Sequence, residues 1–264
     1  MAGVAPIAVL TRPAGRNTDV MHALVRRGWE VHECPALEIL TACVAQAHDI
    51  PDPKLYDLVV FVSRAAVNGF TQQLGPNFVW PSAVRVGCMG PSTALAIERA
   101  WPTAVDIMYP DAEKARDSEA LWPLLQALTT PPRKVLIVRG QDGRDWLSEK
   151  LIGRGVEVST HQAYERVQAA WSGDTVANFQ AWGRASTKVV WLLTSGHGIA
   201  SVALQLQNLG LLGWFRSGQF VLTHERLVQT LAKAVGEDLA RLKVHLCQPE
   251  DSKIVLCFDQ ILDG

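Results

Sequence analysis

Arginines stand in two short polar loops that follow apolar runs: Arg12 and Arg16 in Thr11-Arg12-Pro13-Ala14-Gly15-Arg16-Asn17, and Arg139 and Arg144 in Arg139-Gly140-Gln141-Asp142-Gly143-Arg144. A guanidinium is a permanent cation with a planar fork of donors, suited to gripping an oxyanion. Hydroxyl residues occupy comparable places: Ser63 beside Arg64, Ser92 and Thr93 after Gly90-Pro91, Ser195 before Gly196-His197-Gly198, and Thr223 before His224-Glu225-Arg226. Where such a loop opens a helix, free backbone N–H groups add a partial positive field, so the chemistry on offer is anion binding. Each hydroxyl equally suits a plain helix cap and each arginine a solvated surface charge, and capping does not exclude binding. Gly15-Arg16 and Gly143-Arg144 repeat one dipeptide in equivalent loops, which singles out Arg16 and Arg144.

Other chemistries lack their signatures. There is no GxxxxGK[ST] and no GxGxxG after an apolar run, so nucleotide phosphates have no dedicated loop. The cysteines Cys34, Cys43, Cys88, Cys247 and Cys257 form no CxxC and no metal-like spacing with histidine, and most of them, in or beside apolar runs, read as small core residues of a reducing compartment. His197 and His224 could titrate near neutrality but show no partner, so they read as loop residues and no metal is assigned. A formal net charge of −1 provides no overall field for nucleic acid or an acidic membrane.

The elements that must carry these loops are legible from periodicity. Apolar β-branched runs at Ile7–Leu10, Asp57–Val62, Val84–Cys88, Ala104–Met108, Val135–Val138, Val189–Leu193, Gln219–Leu222 and Arg241–Cys247 read as strands. Between them lie amphipathic segments: Met21, Leu24 and Val25 face inward in one, Ala66, Val67 and Phe70 in a second capped by Ser63, Ala94, Ile97 and Trp101 in a third opened by Pro91. Ser118 caps a further helix after the polar loop 110–117, Leu147, Leu151 and Ile152 share a face before a strand at Val156–Thr160, and Leu227, Val228, Leu231 and Val235 share another. Strand-helix alternation in units of roughly thirty residues means parallel sheets covered on both faces.

The chain echoes itself. IAVLTRPAGRNTDVMHALVRRGWEV at the N-terminus answers KVLIVRGQDGRDWLSEKLIGRGVEV in the middle, and VVFVSRAAVNGF answers VVWLLTSGHGIASV. The first 34 residues supply a strand-helix-strand module without the rest of its domain, while the middle carries a complete set. This predicts a discontinuous α/β domain, 1–36 with 170–264, holding an inserted α/β domain, 37–168, with crossings near 35–42 and 162–169. With 264 residues, 48% hydrophobic and 19% charged, there is enough apolar material for two cores. No secretory leader is evident, and the apolar stretch Val189–Trp214 is interrupted by Ser195, His197, Gln205, Gln207 and Asn208, so it is expected to be core and the protein cytoplasmic.

In order and spacing, Thr11-Arg12-Pro13, Phe61-Val62-Ser63 with Ala66-Val67, Gly90-Pro91-Ser92-Thr93-Ala94, Val138-Arg139-Gly140 with Gly143-Arg144 and Leu147, Gly155-Val156-Glu157-Val158 and Ala163-Tyr164-Glu165-Arg166 resemble the uroporphyrinogen-III synthase family across nearly the whole chain. The resemblance implies two flavodoxin-like parallel-sheet domains joined by a two-stranded β-ladder linker, with a cleft between them and no metal or cofactor. It implies closure of hydroxymethylbilane, a linear polycarboxylate tetrapyrrole of heme biosynthesis, to uroporphyrinogen III with loss of water and inversion of the last ring. It further implies a cytoplasmic monomer without nucleic-acid or membrane partners, in transient contact with the preceding enzyme of the pathway.

In this light Thr11, Arg12, Pro13, Arg16, Ser63, Arg64, Ser92, Thr93, Arg139, Gly140, Arg144, Ser195 and Thr223 are the substrate-binding candidates. Tyr164 is the general acid that the resemblance implies, its hydroxyl helping the leaving hydroxyl depart; a Tyr that only packs against the sheet is the plain alternative. The sequence departs from a common family form in having Leu222-Thr223-His224-Glu225-Arg226 where a second Gly-Pro-x-Thr turn is usual, which weakens the side-chain role of Thr223. Without the resemblance the residues would also fit a non-catalytic two-domain small-molecule binding protein.

Overall fold

The computed structural model describes residues 5–104, 106–111, 118–141 and 145–263. Most of the loop expected at 110–117 and the Gly143-Arg144 pair lie outside them.

Ile7–Leu10 forms β1, buried along its whole length as a strand covered on both faces must be. α1 (Thr18–Val25) buries Val20 and Leu24. Val25, expected inward, is 55% exposed, because the buried stripe runs through positions four apart and 25 lies off it. Gly28 takes φ +85° and turns the chain into β2 (Glu30–Glu33). β3 (Leu37–Thr41) leads out of this first set.

The second set runs β4 (Leu58–Phe61), α2 (Arg64–Leu74), β5 (Arg85–Cys88), α3 (Pro91–Ala100), β6 (Ile107–Met108), α4 (Ser118–Gln126), β7 (Lys134–Gly140), α5 (Trp146–Ile152) and β8 (Glu157–Gln168). β6 is shorter than expected, and α4 is described from Ser118 onward. Ile152 is 58% exposed while Leu147 and Leu151 carry the buried face of α5. β8 continues well past Thr160, where the sequence pattern ends it.

The chain then adds α6 (Gly173–Ala185), β9 (Val189–Leu193), α7 (Gly196–Asn208), α8 (Leu212–Arg216), β10 (Gln219–Leu222), α9 (Arg226–Val235), β11 (Lys243–Leu246) and α10 (Asp251–Asp263). The short α8 has no counterpart in the sequence reading; its Phe215 is buried, edge-on to Trp191 at 4.9 Å.

Two compact units result, one holding the chain up to Glu38 together with the chain from Val167, the other Ile39–Arg166. Both changeovers fall inside strands, β3 and β8. These pair antiparallel, with Ala42 N–H donating to the Ala163 carbonyl at 3.0 Å and Ala169 N–H to the Ala36 carbonyl at 3.2 Å.

The first unit's sheet has the order β11-β10-β9-β1-β2, every pairing parallel. The second has β3-β8-β7-β4-β5-β6, parallel from β8 to β6. Numbered along the first unit, its strands lie 2-1-3-4-5, the flavodoxin order. Numbered from β7 instead of β4, the second unit's parallel strands lie 2-1-3-4-5 as well. The two sheets are circular permutations of one plan: the module β1-α1-β2 opens one unit and its equivalent β7-α5-β8 closes the other.

Strand alternation sorts residues onto the two faces. Ile7 and Val9 join one core of the first unit with Phe179, Trp191, Phe215 and Phe220; Ala8 and Leu10 join another with Trp29, Ile254 and Phe258. In the second unit Val59 and Phe61 meet Phe70, Trp80 and Trp101, while Leu58 and Val60 meet Leu121, Leu147 and Leu151. Among the described residues no helix is long and apolar enough to cross a membrane.

Candidate functional site

Parallel strands deliver the loops that follow them to one edge of each sheet. Ligands of open α/β sheets sit at that edge where strand order reverses. In the second unit the reversal lies between β7 and β4, the strands that end in Gly140 and lead to Ser63.

Ser63 takes extended backbone and caps α2, its Oγ accepting the Ala66 N–H at 3.2 Å. The Ser63 hydroxyl proton is directed instead at Tyr164 Oη, 3.4 Å away. Tyr164 arrives there through a break in register: Arg139 pairs with Gln162 but Gly140 pairs with Tyr164, so β8 carries one extra residue, Ala163. Such a bulge re-aims the side chain that follows it. The tyrosine ring turns over Gly140, where an added Cβ would lie 2.7 Å from Cζ, so only glycine leaves room. Tyr164 is 4% exposed. Arg166 Nη2 donates to Tyr164 Oη at 3.1 Å, with the guanidinium carbon 5.2 Å from the ring centroid.

The other candidates of this unit are placed differently. Arg139 ion-pairs with Asp145 at 2.7 Å, Arg64 is the exposed first residue of α2, and Arg144 lies outside the described residues. Pro91 opens α3 as expected, with Gly90 at the cap position, so neither Ser92 nor Thr93 caps it. Ser92 is exposed and Thr93 buried.

In the first unit the reversal lies between β1 and β9, and here the polar groups hold the loop together. Buried Thr11 donates its hydroxyl proton to the Leu192 carbonyl on β9 at 2.6 Å. Arg12 pairs with Asp251 at the start of α10, 2.8 Å away, and donates to Asn17 Oδ1 at 3.2 Å. Its side chain is 12% exposed, and Nη2 is buried without a hydrogen-bond partner among the described residues. Pro13 is half-buried and Arg16 exposed, their turn closed by Arg16 N–H to the Pro13 carbonyl. Ser195 caps α7 through the Gly198 N–H at 3.1 Å. Thr223 makes no cap; α9 starts at Arg226, whose N–H is accepted by His224 Nδ1 at 3.2 Å. His197 is exposed in the first turn of α7.

Burial pushes the Cys88 thiol up to about 11 and raises Cys34 further, so neither is a nucleophile. No group of three or more His, Cys, Asp or Glu could hold a metal ion among the described residues. Sequence reasoning missed Arg166 as part of the tyrosine's surroundings. Its signal was the spacing Tyr164-Glu165-Arg166, since residues two apart on a strand share a face.

These features define a class: an α/β protein of two flavodoxin-ordered units with donor-rich carboxyl edges, one of which holds a tyrosine hydroxyl between donors. The family model described as uroporphyrinogen-III synthase HemD matches residues 19–237. Uroporphyrinogen-III synthase of Salmonella typhimurium is 38% identical over 62% of this chain and 67% of its own length, and that of Escherichia coli 31% identical over 72% and 70%. Among solved structures, uroporphyrinogen-III synthetase from Helicobacter pylori superposes over 98% of this chain and 99% of its own with a TM-score of 0.59 at 12% identity, a likeness of fold. The chain belongs to the uroporphyrinogen-III synthase family.

Proposed function

We propose that this chain closes hydroxymethylbilane to uroporphyrinogen III, with Tyr164 as the acid that releases the substrate's terminal hydroxyl. The family membership carries the reaction. The tyrosine's hydrogen bonding carries the role: Oη is an acceptor for Arg166 and Ser63, which leaves its own proton for a ligand.

The proton passes to the departing hydroxyl, which leaves as water, and the exocyclic carbon becomes an azafulvene-like cation. That carbon bonds to the substituted position of the last ring, and the spiro intermediate rearranges. A ring proton lost at the end balances the one given at the start. Because unaided bilane closes to isomer I, the enzyme's contribution is the fold it imposes on the substrate, together with exclusion of competing closure.

The substrate's carboxylates would be met by exposed donors at the carboxyl edges, Arg16 and Ser195 in one unit and Arg64 and Ser92 in the other, with Thr93 and Gly140 shaping the surface. Arg144, outside the described residues, is assigned to the same role from its sequence position alone. Arg12 and Arg139 would take part by exchanging Asp251 and Asp145 for substrate. Thr11, Pro13 and Thr223 would contribute through backbone and loop shape, Thr11 having spent its hydroxyl on Leu192. The same reading has a cytoplasmic monomer that receives its substrate through transient contact with the preceding enzyme.

The test is incubation with freshly generated hydroxymethylbilane and isomer analysis of the oxidised porphyrin. Wild type is expected to yield isomer III, and Tyr164→Phe to lose roughly 100-fold in kcat, within the range of general-acid contributions, with its melting temperature unchanged. Isomer I alone from the wild type would sink the activity and leave a binding protein. Near-normal kcat in Tyr164→Phe would remove the acid.

A further inference from the structure

We propose that Arg166 is a positioning residue for Tyr164, holding the phenol by its oxygen and its face at once so that the hydroxyl proton is turned to substrate and the phenolate left behind faces a fixed cation. The inference rests on the reading of Tyr164 as the acid and adds a residue to it.

The geometry makes the arrangement directional. A guanidinium has donors and no acceptor, so the 3.1 Å contact from Arg166 Nη2 can run only toward Tyr164 Oη. Ser63 Oγ accepts the Ala66 N–H, and its single proton goes to the same oxygen. Both neighbours therefore donate to the tyrosine, and the phenol proton has no acceptor in either. The guanidinium also lies over the ring, its carbon 5.2 Å from the centroid. Donation and stacking by one group require a planar fork on a long stem, which lysine does not have.

The chemical consequence falls on the step, more than on binding. When Tyr164 gives up its proton, the bond from Arg166 becomes a charge-assisted one, stronger in the transition state than before it. Losing such a contact lowers kcat with little change in KM. Arg166 is itself exposed and stands at the edge of the second unit, so replacing it opens no cavity.

The experiment is a double-mutant cycle on kcat and KM for isomer III formation, with melting temperatures as the folding control. Arg166→Met is expected to lose ~10- to 100-fold in kcat with KM within about twofold, and Arg166→Lys to recover part of it. In a Tyr164→Phe background the same Arg166→Met change is expected to alter kcat by less than about twofold, because the group it acts through is gone. Multiplicative losses would overturn the inference, as would a raised KM with unchanged kcat, which would make Arg166 a grip on a substrate carboxylate. Those outcomes leave Tyr164 as the acid. A fully active Tyr164→Phe would instead remove the acid and the positioning role together.

Discussion

Gly140 and Tyr164 share one space, and the absence of a side chain at the first fixes the place of the second. In Gly140→Ala the methyl would meet Cζ at 2.7 Å and Cε2 at 2.8 Å, so the ring must pivot away from Ser63 and Arg166. A shift of that kind costs catalysis more than folding: kcat is expected to fall ~10-fold or more, with stability reduced by under about 2 kcal/mol, read from steady-state kinetics and a urea midpoint. Normal kcat would mean that the tyrosine's position is immaterial. At this scale the sequence was readable where local chemistry decides. Ser63 and Ser195 cap as their context predicts. Thr11 was not readable, because its acceptor lies 181 residues away on β9. Thr93 looked like a cap only because Gly90, which takes that position, has no side chain to announce it.

At the scale of elements, the seam between α2 and β8 holds the bulge in place. Gly69 of α2 sits so close to the Ala163 carbonyl that a Cβ would come within 2.1 Å of it, and that carbonyl also accepts from Ala42 of the neighbouring strand segment. Beside it Gln73 donates to the Ala42 carbonyl at 2.9 Å and accepts from His161 Nε2 at 2.8 Å, while the His161 ring packs edge-on to Phe70. Burial lowers the His161 pKa below its ordinary 6.5. The unfolded chain thus takes up this proton before the folded one does. The stability is fully present above about pH 6.5 and is lost as pH falls toward the folded value. His161→Gln, which keeps a donor without a titratable ring, is expected to flatten the fall in melting temperature between pH 7 and pH 5. An unchanged slope would show that the seam is insensitive to this proton. His245 in the other unit is lowered by burial in the same sense, so the comparison needs the rest of the chain intact. The sequence pattern ends β8 at Thr160, whereas the strand's alternation of exposed and buried residues runs on to Ala163 and breaks only where the bulge puts Ala163 and Tyr164 both inward.

The permuted order of the two sheets explains the whole chain's arrangement and how far it was legible. The two echoes in sequence are the modules β1-α1-β2 with β7-α5-β8, and β4-α2 with β9-α7, and from their order alone one unit had to be interrupted by the other. The changeovers were harder to place, since β3 and β8 run through them with no proline or glycine to mark the boundary. The same continuity makes a prediction. Ile39 and Arg166, the ends of the inserted unit, lie in paired antiparallel strands, so cutting there leaves termini already side by side, and the unit keeps both of its own cores. Residues 39–166 alone are therefore expected to fold, with a single cooperative urea transition and a stability of roughly 5 kcal/mol, the lower end for a domain of this size. Fluorescence would follow its four tryptophans, Trp122 and Trp146 together with Trp80 and Trp101, whose tilted rings lie 4.8 Å apart in its core, and amide exchange should be slowest in β4 and β7 at the centre of the sheet. A broad, non-cooperative transition would mean that the inserted unit draws its order from the chain around it, and that two cores in one molecule are here a single folding unit.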